Sequence, residues 1–138
     1  MKSESRLLHL LRRRRRLVLA ITVCLWLGAF VLTHLPSSEL PEFQTGDTSL
    51  HIVGFWGLAT WFILTLAGFD IDPKWRVVIV ICIMAAYGAI DEITQGLKFF
   101  NRSCEFRDWL HDIIGTSIAL VLCEFILWRM RIVRWPKP

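Results

Sequence analysis

Seven polar side chains in this 138-residue chain stand at spacings that could do chemistry: His51, Asp91, Glu92, Gln95, Asp108, His111 and Asp112. Tyr87, Asp91 and Gln95 lie four apart and share one helical face, while Asp108, His111 and Asp112 follow i, i+3, i+4 spacing on a second helix. Asp91 and Glu92 are adjacent, about 100° apart around a helix axis, so one can face the interior while the other meets a neighbouring helix or the interface. Paired carboxylates suit general acid and base work, and Asp91, Glu92 and Asp108 are the candidates for it. Histidine with carboxylate is also ligand chemistry for Zn²⁺, Mn²⁺ or Mg²⁺, although the chain has no HExxH motif and no close His pair. Arg102 supplies a guanidinium fork for a phosphate or carboxylate, or a counter-ion for the acidic cluster. His51, Tyr87, Gln95, Arg102, His111 and Asp112 are therefore candidate binding residues. The blander reading makes the same groups a network of interhelical hydrogen bonds with no ligand.

The elements that must position these groups are apolar. The chain is 54% hydrophobic and 20% charged, with a mean hydropathy of +0.49, beyond the range of an ordinary soluble domain. Its apolar residues fall in four blocks, which predict transmembrane helices at about 17–35, 50–69, 75–95 and 108–128. A soluble four-helix bundle would need polar faces that these blocks lack. A signal peptide is the other reading of the first block, but it is long for one and no small-x-small cleavage pattern follows. The organisation expected is a basic segment at 1–16, a four-helix bundle at 17–128 and a basic tail at 129–138. Cys24, Cys82 and Cys123 sit inside apolar runs as small hydrophobes, leaving only Cys104 open to an oxidant.

Charge orients the chain. With the N-terminus inside, 13 of the 16 Lys and Arg residues flank the helices on the cytoplasmic side, and only Lys98, Arg102 and Arg107 stay outside. Both ends are then expected to be cytoplasmic. The bases at Arg12 to Arg16 lie beside an apolar run, which favours anionic lipid over nucleic acid as their partner. Depth follows from the same anchors. Asp91 lies 15 residues past Arg76, about 22 Å up a helix, and Asp112 lies 17 residues before Arg129, about 25 Å. Both stop short of the roughly 30 Å hydrocarbon thickness. With His51 opening the second helix, the polar groups converge on one layer just below the outer surface. Ionisable groups at that depth are costly, which makes the layer a functional-site candidate. Glu124, near the inner end, reads as a snorkelling charge or a partner for Arg76, and His34 as interfacial. Gly54, Gly57, Gly88 and Gly115 read as sites of close helix packing.

Three stretches carry a resemblance. Asp47-Thr-Ser-Leu-His51, Tyr87-Gly-Ala-Ile-Asp91-Glu92-Ile-Thr-Gln95 and Arg102-Ser-Cys-Glu-Phe-Arg-Asp108-Trp-Leu-His-Asp112-Ile-Ile-Gly115 resemble the VanZ-like family of small bacterial membrane proteins, across about residues 15–130. The resemblance implies four helices in the bacterial inner membrane with the motif-bearing side outward. It also implies a cell-envelope role, since the family is named for resistance to the glycopeptide teicoplanin. The chain departs from the family pattern at Thr48, where Lys is usual, at Phe55, where Tyr is common, and at Asp112, where Asn is common. The last change adds a carboxylate able to help hold a metal or a proton. The reading that follows is recognition of a polar headgroup or cell-wall precursor at the outer leaflet. The alternatives are an intramembrane enzyme acting on a lipid-linked envelope substrate and a purely structural network.

Overall fold

The computed structural model describes residues 6–35, 47–97 and 104–132, and among them every regular element is an α-helix. The helices are α1 (Arg6–Arg13), α2 (Arg15–Thr33), α3 (Asp47–Gly68), α4 (Pro73–Gln95) and α5 (Phe106–Ile132). The last four are long and apolar enough to cross a membrane, consistent with a multi-pass membrane protein. Their apolar side chains point outward freely: Leu27, Val121 and Phe125 are each at least 60% exposed. An exposed surface of this kind suits hydrocarbon rather than water.

The four expected spans are all present, with ends shifted by a few residues. Asp72 explains the early start of α4: its carboxylate accepts from Lys74 N at 2.9 Å, and Pro73 occupies the first helical position, where its missing N–H costs nothing. The turn before it is tight. Asp70 takes a left-handed conformation (φ 62°), and Ile71 N donates to Leu66 O at 3.1 Å, closing the end of α3.

The fifth helix departs from expectation, since residues 6–13 were read as part of a basic segment with no element of its own. In α1, Leu8 and Leu11 stand three apart and are both buried, and the helix packs on α3. Gly68 permits the approach, because a Cβ there would stand 3.0 Å from Leu11 O. Arg12 then reaches Asp70 at 2.5 Å, and the Arg15 guanidinium lies 5.3 Å over the Phe69 ring. Both contacts are at the surface and contribute little energy, but they occupy two of the five bases assigned to lipid.

Side-chain contacts fix the relative direction of the helices. Thr33 and His34, at the end of α2, meet Asp91 and Thr94 at the end of α4. His51 near the start of α3 meets Asp112 near the start of α5. At the other end, Arg76 in the first turn of α4 is 1% exposed and grips Glu124 of α5, with Nε to Oε1 at 2.5 Å and Nη2 to Oε2 at 2.6 Å. Its Nη1 donates to Ile71 O at 3.0 Å. Glu124 is therefore the partner of Arg76, one of the two readings the sequence allowed.

Between these polar ends, Ala59 and Ile63 of α3, Val80 and Met84 of α4 and Ala119 of α5 are wholly shielded. Thr22 and Thr65 hydroxyls, 2.8 Å apart, tie α2 to α3. The closest helix approach is α3 on α5, where Gly115 faces the α3 backbone at Ile52 and Trp56. Gly88 makes room on α4 for Phe55 and Asp112. Gly54 and Gly57 do not serve this way: nothing lies within 4 Å of a Cβ built on either. Being glycine in an apolar helix was the whole signal for them, and it does not say which way the residue faces.

Candidate functional site

The end where α2 and α4 finish and α3 and α5 begin collects the polar residues singled out above, and Asp91 and Glu92 divide them into two halves. Asp91, 1% exposed, faces α2. Its Oδ1 accepts from Thr33 Oγ1 at 2.7 Å and its Oδ2 from Gln95 Nε2 at 2.7 Å. His34 adds its ring, with Nδ1 3.7 Å from Asp91 Oδ1 and 2.7 Å from Phe30 O, and Nε2 2.8 Å from Thr94 Oγ1. Both Asp91 oxygens thus have donors, and the half reads as a closed set of hydrogen bonds between α2 and α4.

His34 was expected only to be interfacial, and Thr33 was not singled out at all. Both belong to the Asp91 half. A signal existed: they are consecutive polar residues ending an otherwise apolar helix, at the level reached by Asp91. Tyr87, expected on the Asp91 face, donates to Trp26 O at 2.9 Å and rests against Trp26 and Phe55, so its hydroxyl is used in holding α2.

Glu92 points to the other half, toward α3 and α5. It is 4% exposed, and its Oε2 accepts from Glu105 N at 3.0 Å, immediately before α5. A carboxylate there offsets the unpaired N–H groups and positive dipole end of that helix. Gly96, just past α4, and Cys104, just before α5, approach closely, since a Cβ on Gly96 would lie 2.8 Å from Cys104 Cβ. His51 Nδ1 lies 2.8 Å from Oδ1 of the fully buried Asp112, and His51 Nε2 is 3.9 Å from Asp108 Oδ2. Asp108 Oδ1 lies 3.6 Å from His111 Nδ1. His51, Glu92 and Asp112 each bring one ligand-type atom within 4.8 Å of the others.

This second half is not closed. Glu92 Oε1, Asp112 Oδ2 and His111 Nδ1 are buried and have no hydrogen-bond partner among the described residues. Buried polar atoms are almost always paired, and leaving one unpaired costs about 1–3 kcal/mol. Glu92, His51, Asp108, His111 and Asp112 therefore come together as expected, at one end of the helices and around unsatisfied atoms. Arg102, expected as the anion grip, and Lys98 lie outside the described residues.

The chain was compared with protein-family models, curated proteins and solved structures, and none of the three comparisons returned a match.

Proposed function

We propose that this is a multi-pass protein of the bacterial inner membrane with both ends cytoplasmic, and that its open polar half recognises a polar headgroup or cell-wall precursor at the outer leaflet. The observation that carries this reading is the unsatisfied set Glu92 Oε1, Asp112 Oδ2 and His111 Nδ1. A network serving only to tie helices would supply those carboxylate oxygens with donors, as Thr33 and Gln95 do for Asp91. The orientation rests on the division of Lys and Arg between the two sides, 13 against 3. The envelope setting rests on the VanZ-like resemblance of the three motif stretches, whose described residues include His51, Asp91, Glu92, Asp108 and Asp112 of this layer.

The two halves respond differently in this reading. Glu92→Gln and Asp108→Asn abolish a cell-envelope phenotype, such as altered glycopeptide sensitivity, while the protein still accumulates in the membrane. Asp91→Asn reduces phenotype and protein together. If loss of phenotype tracks loss of protein for all three, the whole layer is structural. Turnover of a lipid-linked substrate by purified protein would replace recognition with catalysis, with Glu92 and Asp108 as the acid/base residues.

A further inference from the structure

We infer that His51, Glu92 and Asp112 form a binding site for a first-row divalent cation such as Zn²⁺ or Mn²⁺. The inference rests on the reading of the open half as a ligand site and names what its buried acceptors hold.

The donor set comes first. One imidazole nitrogen and two carboxylate oxygens, from α3, α4 and α5, lie within 4.8 Å of one another. Ligands bonded at about 2.0–2.2 Å around one tetrahedral ion stand roughly 3.4 Å apart, so small side-chain rotations close the set. Imidazole selects against Mg²⁺ and Ca²⁺, which prefer all-oxygen shells, and in favour of zinc, while the two carboxylates also suit manganese. Three protein ligands are the number that leaves a fourth position open, for water or a headgroup oxygen.

Two further observations point to an ion rather than to an acidic patch. Glu92 and Asp112 are both more than nine-tenths buried, and each keeps one oxygen without a partner among the described residues. His51 Nδ1 stands 2.8 Å from Asp112 Oδ1, so the imidazole and one of the carboxylates already face one another. Gly88, one turn before Glu92, lets the Asp112 carboxylate lie close against α4, since a Cβ there would stand 2.9 Å from Asp112 Oδ2. Two ionised carboxylates this close repel, and a dication between them relieves that repulsion. A bound ion would present its open position to the anionic part of a headgroup, such as a phosphate.

The test counts metal directly. Full-length protein purified in detergent is stripped with a chelator, equilibrated with ZnCl₂ or MnCl₂, freed of excess ion and analysed by plasma mass spectrometry. About one ion per chain is expected, together with a rise in unfolding temperature. Glu92→Gln and Asp112→Asn, which keep side-chain shape, weaken binding by roughly tenfold or more, while His9→Ala on α1 leaves it unchanged. Should either variant misfold, wild-type protein loaded with Co²⁺ decides, because histidine–carboxylate coordination gives visible absorption that aqueous Co²⁺ lacks at the same strength. Wild-type protein that retains no ion overturns the proposal, as does a Glu92→Gln/Asp112→Asn double variant with full occupancy. Absence of the ion with the Glu92→Gln phenotype intact removes the metal and keeps headgroup recognition. Stoichiometric ion without phenotype in any site variant removes recognition and leaves the ion site standing.

Discussion

Replacing Gly115 by Ala tests whether helix contact distance holds the site together. A Cβ at that position runs into Ile52 O, and stands 3.0 Å from Trp56 N and 3.1 Å from Ile52 C. All three atoms are α3 backbone, so no side chain can swing aside, and the helices must separate by more than about 1 Å to bring the nearest of them to ordinary contact near 3.5 Å. Overpacking of this kind costs about 1–3 kcal/mol, with the upper end expected where the obstacle is backbone. The alanine recovers about 1 kcal/mol of helix propensity, leaving a net loss of about 2 kcal/mol. For a chain of this length that corresponds to an unfolding temperature lower by about 6 °C. The same separation stretches the 2.8 Å His51–Asp112 contact beyond hydrogen-bonding distance, since the two residues sit on the same pair of helices one turn away. The assay is thermal unfolding in detergent, with Gly54→Ala and Gly57→Ala as controls that meet nothing within 4 Å and should leave stability flat or slightly raised. Equal stability of Gly115→Ala and these controls would refute the packing argument, and with it the account of how α3 and α5 present the site.

At the opposite end, Glu124→Gln leaves the 1%-exposed Arg76 without its carboxylate and should cost about 3 kcal/mol, while an Arg76→Met/Glu124→Leu double variant recovers most of it. Unfolding of the three proteins in parallel checks this, and an unaffected Glu124→Gln would mean that the guanidinium reaches water. Thr33→Val removes one of the two donors to Asp91 and should cost on the order of 1 kcal/mol, with no change in ion binding. A Thr33→Val protein of full stability but impaired ion binding would join the two halves of the polar layer. Reporter fusions after Arg16, Asp47, Lys74, Arg102 and Pro138 should alternate in, out, in, out, in. A periplasmic reporter after Pro138 would overturn the orientation and everything placed at the outer leaflet.

Length and hydropathy alone disclosed the four long helices, because a segment that is apolar on every face announces itself by composition. Counting residues up from Arg76 and down from Arg129 also disclosed that Asp91, Glu92 and Asp112 meet at one level of the helices, since the rise per residue in a helix is constant. Facing was the part that composition could not supply. Gly54 and Gly115 look alike in the sequence, yet only Gly115 meets another backbone, because rotation of an all-apolar helix is set by its neighbours and not by its own pattern. His34 reads as an interfacial residue until α2 is seen to end beside Thr94 and Asp91. α1 escaped for a related reason. Eight residues rich in arginine carry a weak helical signal alone, and what holds them is the burial of Leu8 and Leu11 on α3. Adjacency placed Asp91 and Glu92 about 100° apart from the outset, but only the packing of α2 on one side and α5 on the other decided that the first carboxylate is saturated and the second left open. Hydrogen-bond satisfaction is a property of distances between helices, and a linear sequence holds no such distances.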